Sequence, residues 1–256
     1  MRSTKKKINF ITVILLSLIY QVSFAQVHKN DAVQKVNISQ QMDKIQREYF
    51  ILGTLNDYMG RSLHPDSEDQ LEAYYSTQGP LLNIIDSFLK KNYPGIPYQI
   101  EKYADKNGNL MSARINSKGL SAKFNNYYTF LPTGSRSIDN KPVLAGQLKK
   151  GLFKTETEKL AFIAGVYVTF KVKNDTTYCF NIANSTSKAE IAYGLLKDLD
   201  CNPSSRIINN IPVSHLVYFH PTTKVKTYLQ QFMYISEQID REKRLYTERI
   251  LKEKKS

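Results

Sequence analysis

Apolar residues recur at helical spacing over the first third of the chain and at strand spacing beyond it. Ile38, Met42, Ile45, Tyr49, Leu52 and Met59 fall four and three residues apart or at multiples of that step, which predicts one face of a helix over 38–60. A second helix is expected after "LHPDSEDQ", where Ser67 and Gln70 have capping-box spacing and acids fill the first turn. A third is expected from Pro80, a favoured first helical position, through Leu82, Ile85 and Leu89 to a stop before Pro94.

From residue 97 the period shortens. "YQIEKYA", "LMSARIN" and "LSAKFNNYYTF" are separated by "DKNGN" and "SKG", and this punctuation predicts a three-stranded antiparallel meander. "PTGSRSIDNKP", residues 132–142, is expected to be an exposed loop or an internal boundary between 26–131 and 143–256. Thr155 and Glu158 make a capping box that opens a further helix. Residues 166–172 fit either the continuation of that helix or a strand. A strand at "TTYCFNI", a helix over 187–199 and a strand over 213–219 suggest a βαβ unit with a right-handed crossover. Pro221 then starts a closing helix striped by Val225, Tyr228, Phe232, Ile235, Ile239 and Tyr246. No repeat is visible in the sequence. The expected class is α+β: a helical N-terminal part, a small antiparallel meander, and a mixed α/β C-terminal part closed by a long helix.

The leader changes where such a chain is expected to reside. Arg2, Lys5, Lys6 and Lys7 precede an apolar run from Ile8, and Ser23 and Ala25 supply small residues before Gln26, the pattern of a cleavable secretory signal over 1–25. No later run is long enough to span a bilayer. The expectation is a periplasmic or secreted protein. The formal charge of +13 loses the four positive charges of the leader, leaving 13 − 4 = +9. That balance suits an anionic surface or partner, although the charges are dispersed rather than clustered.

Candidate chemistry is sparse. Ser185 and Lys188 have S-x-x-K spacing, which resembles the nucleophile motif of penicillin-recognising serine enzymes. No S-D-N and no K-T-G follows, and the spacing recurs at Ser3 with Lys6 and at Ser87 with Lys90. Ser187 and Glu190 have capping-box spacing, which predicts a helix start. Ser185, Thr186, Ser187 and Lys188 form a candidate anion-binding turn, because a strand feeding a helix N-terminus offers backbone donors. Cys179 and Cys201 lie within reach of a disulfide if the intervening helix doubles back, and equally suit two buried thiols. His215 and His220 fall on opposite faces of their strand, and "DKNGN" departs from a calcium loop at its glycine and at its last ligand, so it reads as a hairpin turn. No catalytic, cofactor or metal residues are assigned and no nucleic-acid reader motif is found. The functional expectation is an exported envelope protein that binds a partner or an anionic surface without catalysis. The alternatives are an envelope hydrolase acting on peptide or glycan, and an anion or phosphate-sugar binder.

Overall fold

The computed structural model describes residues 45–172 and 177–253. The chain divides into two units, Met1–Ile45 and Gln46–Ser256, and the account below concerns the second. The expected signal over 1–25, and the first turns of the helix expected from residue 38, lie outside the described residues.

The class is α+β. The elements in order are α1 (Arg47–Thr54), β1 (Arg61–Leu63), β2 (Gln70–Tyr75), α2 (Gly79–Asn92), β3 (Gln99–Ala104), β4 (Leu110–Asn116) and α3 (Lys118–Asn125). A hairpin follows, β5 (Tyr128–Arg136) and β6 (Pro142–Leu148). The second series is α4 (Glu156–Phe170), β7 (Lys171–Val172), β8 (Tyr178–Ala183), α5 (Thr186–Asp198), β9 (Ser204–Ile208), β10 (Ser214–Phe219) and α6 (Thr223–Gln230), with α7 (Met233–Glu253) closing the chain. Helix, two strands, helix, two strands, helix therefore occurs twice, and the sheets repeat the order too: β2-β4-β3 in the first series, β7-β8-β10-β9 in the second. One difference separates the halves. β1 leaves its own series and pairs antiparallel with β6, Arg61 opposite Gly146, whereas β7 stays beside β8.

The two leading helices form the core. Helix α4 is apolar all round, with every residue from Leu160 to Val168 buried, as a helix enclosed on every side must be. Its N-terminus is fixed by the expected capping box: Thr155 accepts from the Glu158 amide, and Glu158 accepts from the Thr155 amide. Helix α1 buries Phe50 to Thr54 and meets α4 at two glycines. A Cβ on Gly53 would lie 3.0 Å from the Gly165 Cα, and one on Gly165 would lie 3.0 Å from the Gly53 Cα. The backbones touch, and any side chain at either position would part them.

Several expected elements are corrected. Residues 70–75 form a strand, not the helix read from Ser67 and Gln70, because Leu71 and Tyr74 fill the core while the chain stays extended against β4. The third strand of the meander is replaced by α3, capped by Ser117, whose hydroxyl accepts from the Leu120 amide. Residues 132–142 are the end of β5, a tight turn and the start of β6. The βαβ unit is not parallel. β10 pairs antiparallel with β8, and the overlooked strand β9 supplies the hairpin that reverses the chain. The closing helix breaks after Gln230 into α6 and α7. Among the described residues, no helix is long and apolar enough to cross a membrane.

Candidate functional site

Helix α1 stops at Thr54, and the next six residues build the most polar interior of the molecule. Asp57 and Met59 take positive φ values of 46° and 60°, and Gly60 follows at 87°. That left-handed turn costs little at Gly60, and an aspartate tolerates it better than a bulky residue does. It folds the Asp57 side chain back under the end of α1, where it is 5% exposed.

Four side chains from other elements meet this carboxylate or its surroundings. The Tyr128 hydroxyl of β5 donates to Asp57 Oδ2 at 2.8 Å. The Lys188 ammonium of α5 stands 3.2 Å from the same oxygen. It also donates to the carbonyls of Leu52 at 3.1 Å, Gly53 at 3.3 Å and Leu55. These are carbonyls of the last turn of α1, which have no amide partner further along the helix. Arg61 lies beside them, its Nε donating to Asn125 Oδ1 at 2.6 Å and its NH1 to the Leu71 carbonyl at 3.1 Å. Glu72 accepts from the amides of Asn56 at 2.7 Å and Ala73 at 2.8 Å.

Burial governs the electrostatics here. It pushes the Lys188 ammonium below the usual lysine range, against the pull of Asp57. It pushes the Glu72 carboxyl up, although two backbone amides work the other way, and it holds the Tyr128 phenol well above an ordinary tyrosine, with Asp57 adding to the effect. Asp57, Arg61 and Lys188 are thus buried together, with Glu72 half-buried beside them.

Outside this cluster opens a cleft of about 350 Å3, lined among others by Tyr58, Arg61, Gln70, Tyr75 and Arg114. It runs onto the outward face of β2-β4-β3. Ala113 and Ile115 point into the core, so Arg114 and Ser112 point out. Their partners share that face: Glu101 and Ala73 opposite Arg114, Tyr103 and Tyr75 opposite Ser112. The Arg114 guanidinium lies 4.8 Å over the Tyr103 ring, and the Tyr103 hydroxyl donates to Glu101 at 2.7 Å. Tyr75 is 65% exposed.

The four residues expected to hold an anion do not converge on an open turn. Ser185 is buried with no partner for its hydroxyl. The Thr186 hydroxyl lies 3.2 Å from His215 Nε2, and Ser187 Oγ accepts from the Leu148 amide at 3.2 Å. Lys188 turns inward and is wholly buried. The helix starts at Thr186, so Ser187 is inside its first turn rather than its cap. Cys179 and Cys201 are free, buried thiols. The "DKNGN" turn joins β3 to β4, its Asp105 carboxylate accepting from the amides of Asn107 and Asn109.

Asp57, Arg61, Glu72 and Tyr128 are not marked by any motif in the sequence. The apolar stripe runs on to Met59, yet Asn56, Asp57 and Gly60 are turn residues that argue for an earlier stop. Lys188 stands on the same stripe as Ile191, Ala192 and Leu195, all buried, and a lone cation on an apolar stripe is the signal of a buried partner.

No family model matches the chain, and no curated protein matches it. Solved structures do. It is similar to mesophilic variants of the homing endonuclease I-DmoI at 13% identity and a TM-score of 0.49, over 72% of this chain and 93% of that one. It is similar to I-DmoI in complex with DNA and Mn at 14% identity and a TM-score of 0.47, over 74% and 96%. A third likeness is to the N-terminal LAGLIDADG domain of DUF199/WhiA at 14% identity and a TM-score of 0.38, over 79% and 90%. These neighbours depart from the functional expectation. The structural neighbours are endonucleases and a LAGLIDADG domain, not exported envelope proteins, envelope hydrolases or anion binders. Where the expectation was an envelope partner or an anionic surface, two of the neighbours were solved in complex with DNA. Likeness at this identity says nothing of this chain's chemistry, which has to be argued from its own residues.

Proposed function

We propose that this protein binds nucleic acid, using the outward face of β2-β4-β3 and the cleft beside it. The observation that carries the reading is the pairing of Arg114 over Tyr103, with Tyr75 exposed on the same face. An exposed aromatic ring offers a base a stacking surface worth about 1–3 kcal/mol, and a guanidinium adds a planar cation that can stack or contact phosphate. A chain that keeps a formal charge of 13 − 4 = +9 without its leader has the long-range attraction that such binding needs.

Binding rather than cleavage is the reading because the two carboxylates beside the cleft are already engaged. Asp57 is paired with Lys188 and Tyr128, and Glu72 accepts two backbone amides. The test is fluorescence anisotropy of a labelled oligonucleotide of about 20 residues, as single strand, duplex and RNA, in about 50 and 200 mM salt. Binding should weaken with salt, and Arg114→Ala and Tyr103→Ala should each weaken it by about tenfold, as the loss of one stacking contact implies. No anisotropy change with any of the three at the lower salt would overturn the reading.

A further inference from the structure

The Lys188 ammonium sits in a cage of four oxygens: the Leu52, Gly53 and Leu55 carbonyls and Asp57 Oδ2. Two aromatic rings close it, Phe170 at 5.6 Å and Phe162 at 6.0 Å from Nζ. The oxygens and ring faces suit a positive charge, while burial and the nearby Arg61 cation work against it. The carbonyls are the negative end of the α1 dipole, the carboxylate is a full charge, and the ring faces attract cations. Three of the contacts span 3.1 to 3.3 Å, the separation of an ammonium from its acceptors. The four oxygens belong to the first helix–strand series, whereas the lysine and both rings come from α5 and α4 in the second.

We propose that the end of α1 is a binding site for a small monovalent cation of ammonium type, which the second half of the chain fills with Lys188. The site does not depend on the nucleic-acid reading. The lysine does two things that a free ion would also do: it neutralises Asp57, and it satisfies the last carbonyls of α1. Carrying the ion on α5 makes the fold independent of the ions in solution.

Lys188→Ala empties the cage and leaves the oxygens in place. Melting temperatures of this variant and of the wild type are compared in sodium, ammonium, methylammonium and tetramethylammonium chloride at equal ionic strength and neutral pH. The variant should gain about 3–6 °C in ammonium or methylammonium over sodium, the shift given by a ligand at about ten times its dissociation constant in a chain of this size. Tetramethylammonium, too large and without donors, should give no gain, and the wild type should respond to none of the four. Adding Asp57→Asn to Lys188→Ala should reduce the gain. If Lys188→Ala does not fold in sodium, far-UV circular dichroism after dilution from denaturant is read instead. Refolding in ammonium but not in tetramethylammonium supports the site. An equal response in variant and wild type, or no recovery in any of the salts, overturns it.

Discussion

Gly165→Ala should be among the most costly single-methyl changes in this molecule. In an exposed helix the same substitution stabilises by about 1 kcal/mol, because glycine gives up more backbone freedom on folding. At Gly165 that gain is opposed by contact with the α1 backbone, since the new Cβ would overlap the Phe50 carbonyl oxygen and fall 3.0 Å from both the Gly53 Cα and the Thr54 amide. None of these atoms can rotate away. Overpacking of a rigid site costs about 1–3 kcal/mol and occasionally more, and here the upper part of that range applies. The net loss should be about 2 kcal/mol. Gly194 supplies the internal control: it lies in α5, and a methyl group added there would meet nothing within 4 Å, so Gly194→Ala should gain about 1 kcal/mol. The two variants should therefore differ by about 3 kcal/mol, or about 6–12 °C in melting temperature for a chain of this length. Urea denaturation followed by far-UV circular dichroism measures both. If Gly165→Ala matches Gly194→Ala, the helices do not meet through bare backbone and the account of the core is wrong.

Three further outcomes follow from the same interior. Lys188→Met leaves Asp57 as a buried charge without its partner and should cost about 3–5 kcal/mol, whereas Lys188→Met with Asp57→Asn should recover much of that loss; chemical denaturation of the two would show equal stabilities if the pair were unimportant. Folding raises the phenols of Tyr74, Tyr93, Tyr98, Tyr127 and Tyr128, and those of Tyr167 and Tyr228 to about 12, chiefly through burial. Each therefore keeps its proton where the unfolded chain has lost it, so the stability they lend is whole below about pH 10 and falls as pH rises above it. Melting temperatures between about pH 8 and 11 should decline on the alkaline side, and a flat profile would contradict this. Cys179 and Cys201 are buried and burial raises both thiols, so a thiol reagent should label them only in denaturant, with melting unchanged by reductant; prompt labelling of the native protein would argue against the packing seen.

Elements with strong local signals were legible in the sequence. The capping box at Thr155 and Glu158 marked the start of α4, Pro80 marked α2, and the turn at Asp105 marked the β3–β4 hairpin. Where local and tertiary preferences disagreed, the tertiary term won. The helix-start pattern at Ser67 and Gln70 was overruled because Leu71 and Tyr74 are needed on the core side of a strand. Strand β9 escaped because all but one of its residues are exposed, so no alternation of apolar and polar positions records it. The doubled architecture left only a short sequence trace, Phe-Ile-x-Gly at 50–53 and again at 162–165, too brief to stand out as a repeat. The site was the least legible part, since Tyr128 and Lys188 lie 71 and 188 − 57 = 131 residues beyond the Asp57 they meet, a separation that no local pattern encodes.

That separation also orders events during synthesis. The first helix–strand series leaves the ribosome long before residue 188 is made, with the Asp57 carboxylate still hydrated and the last carbonyls of α1 facing water. Closure of that helix end has to wait for a side chain from the other half. Although the two series look like modules, the nascent first half is an unfinished protein, and a chaperone or protease would meet it in that state before the final lysine arrives.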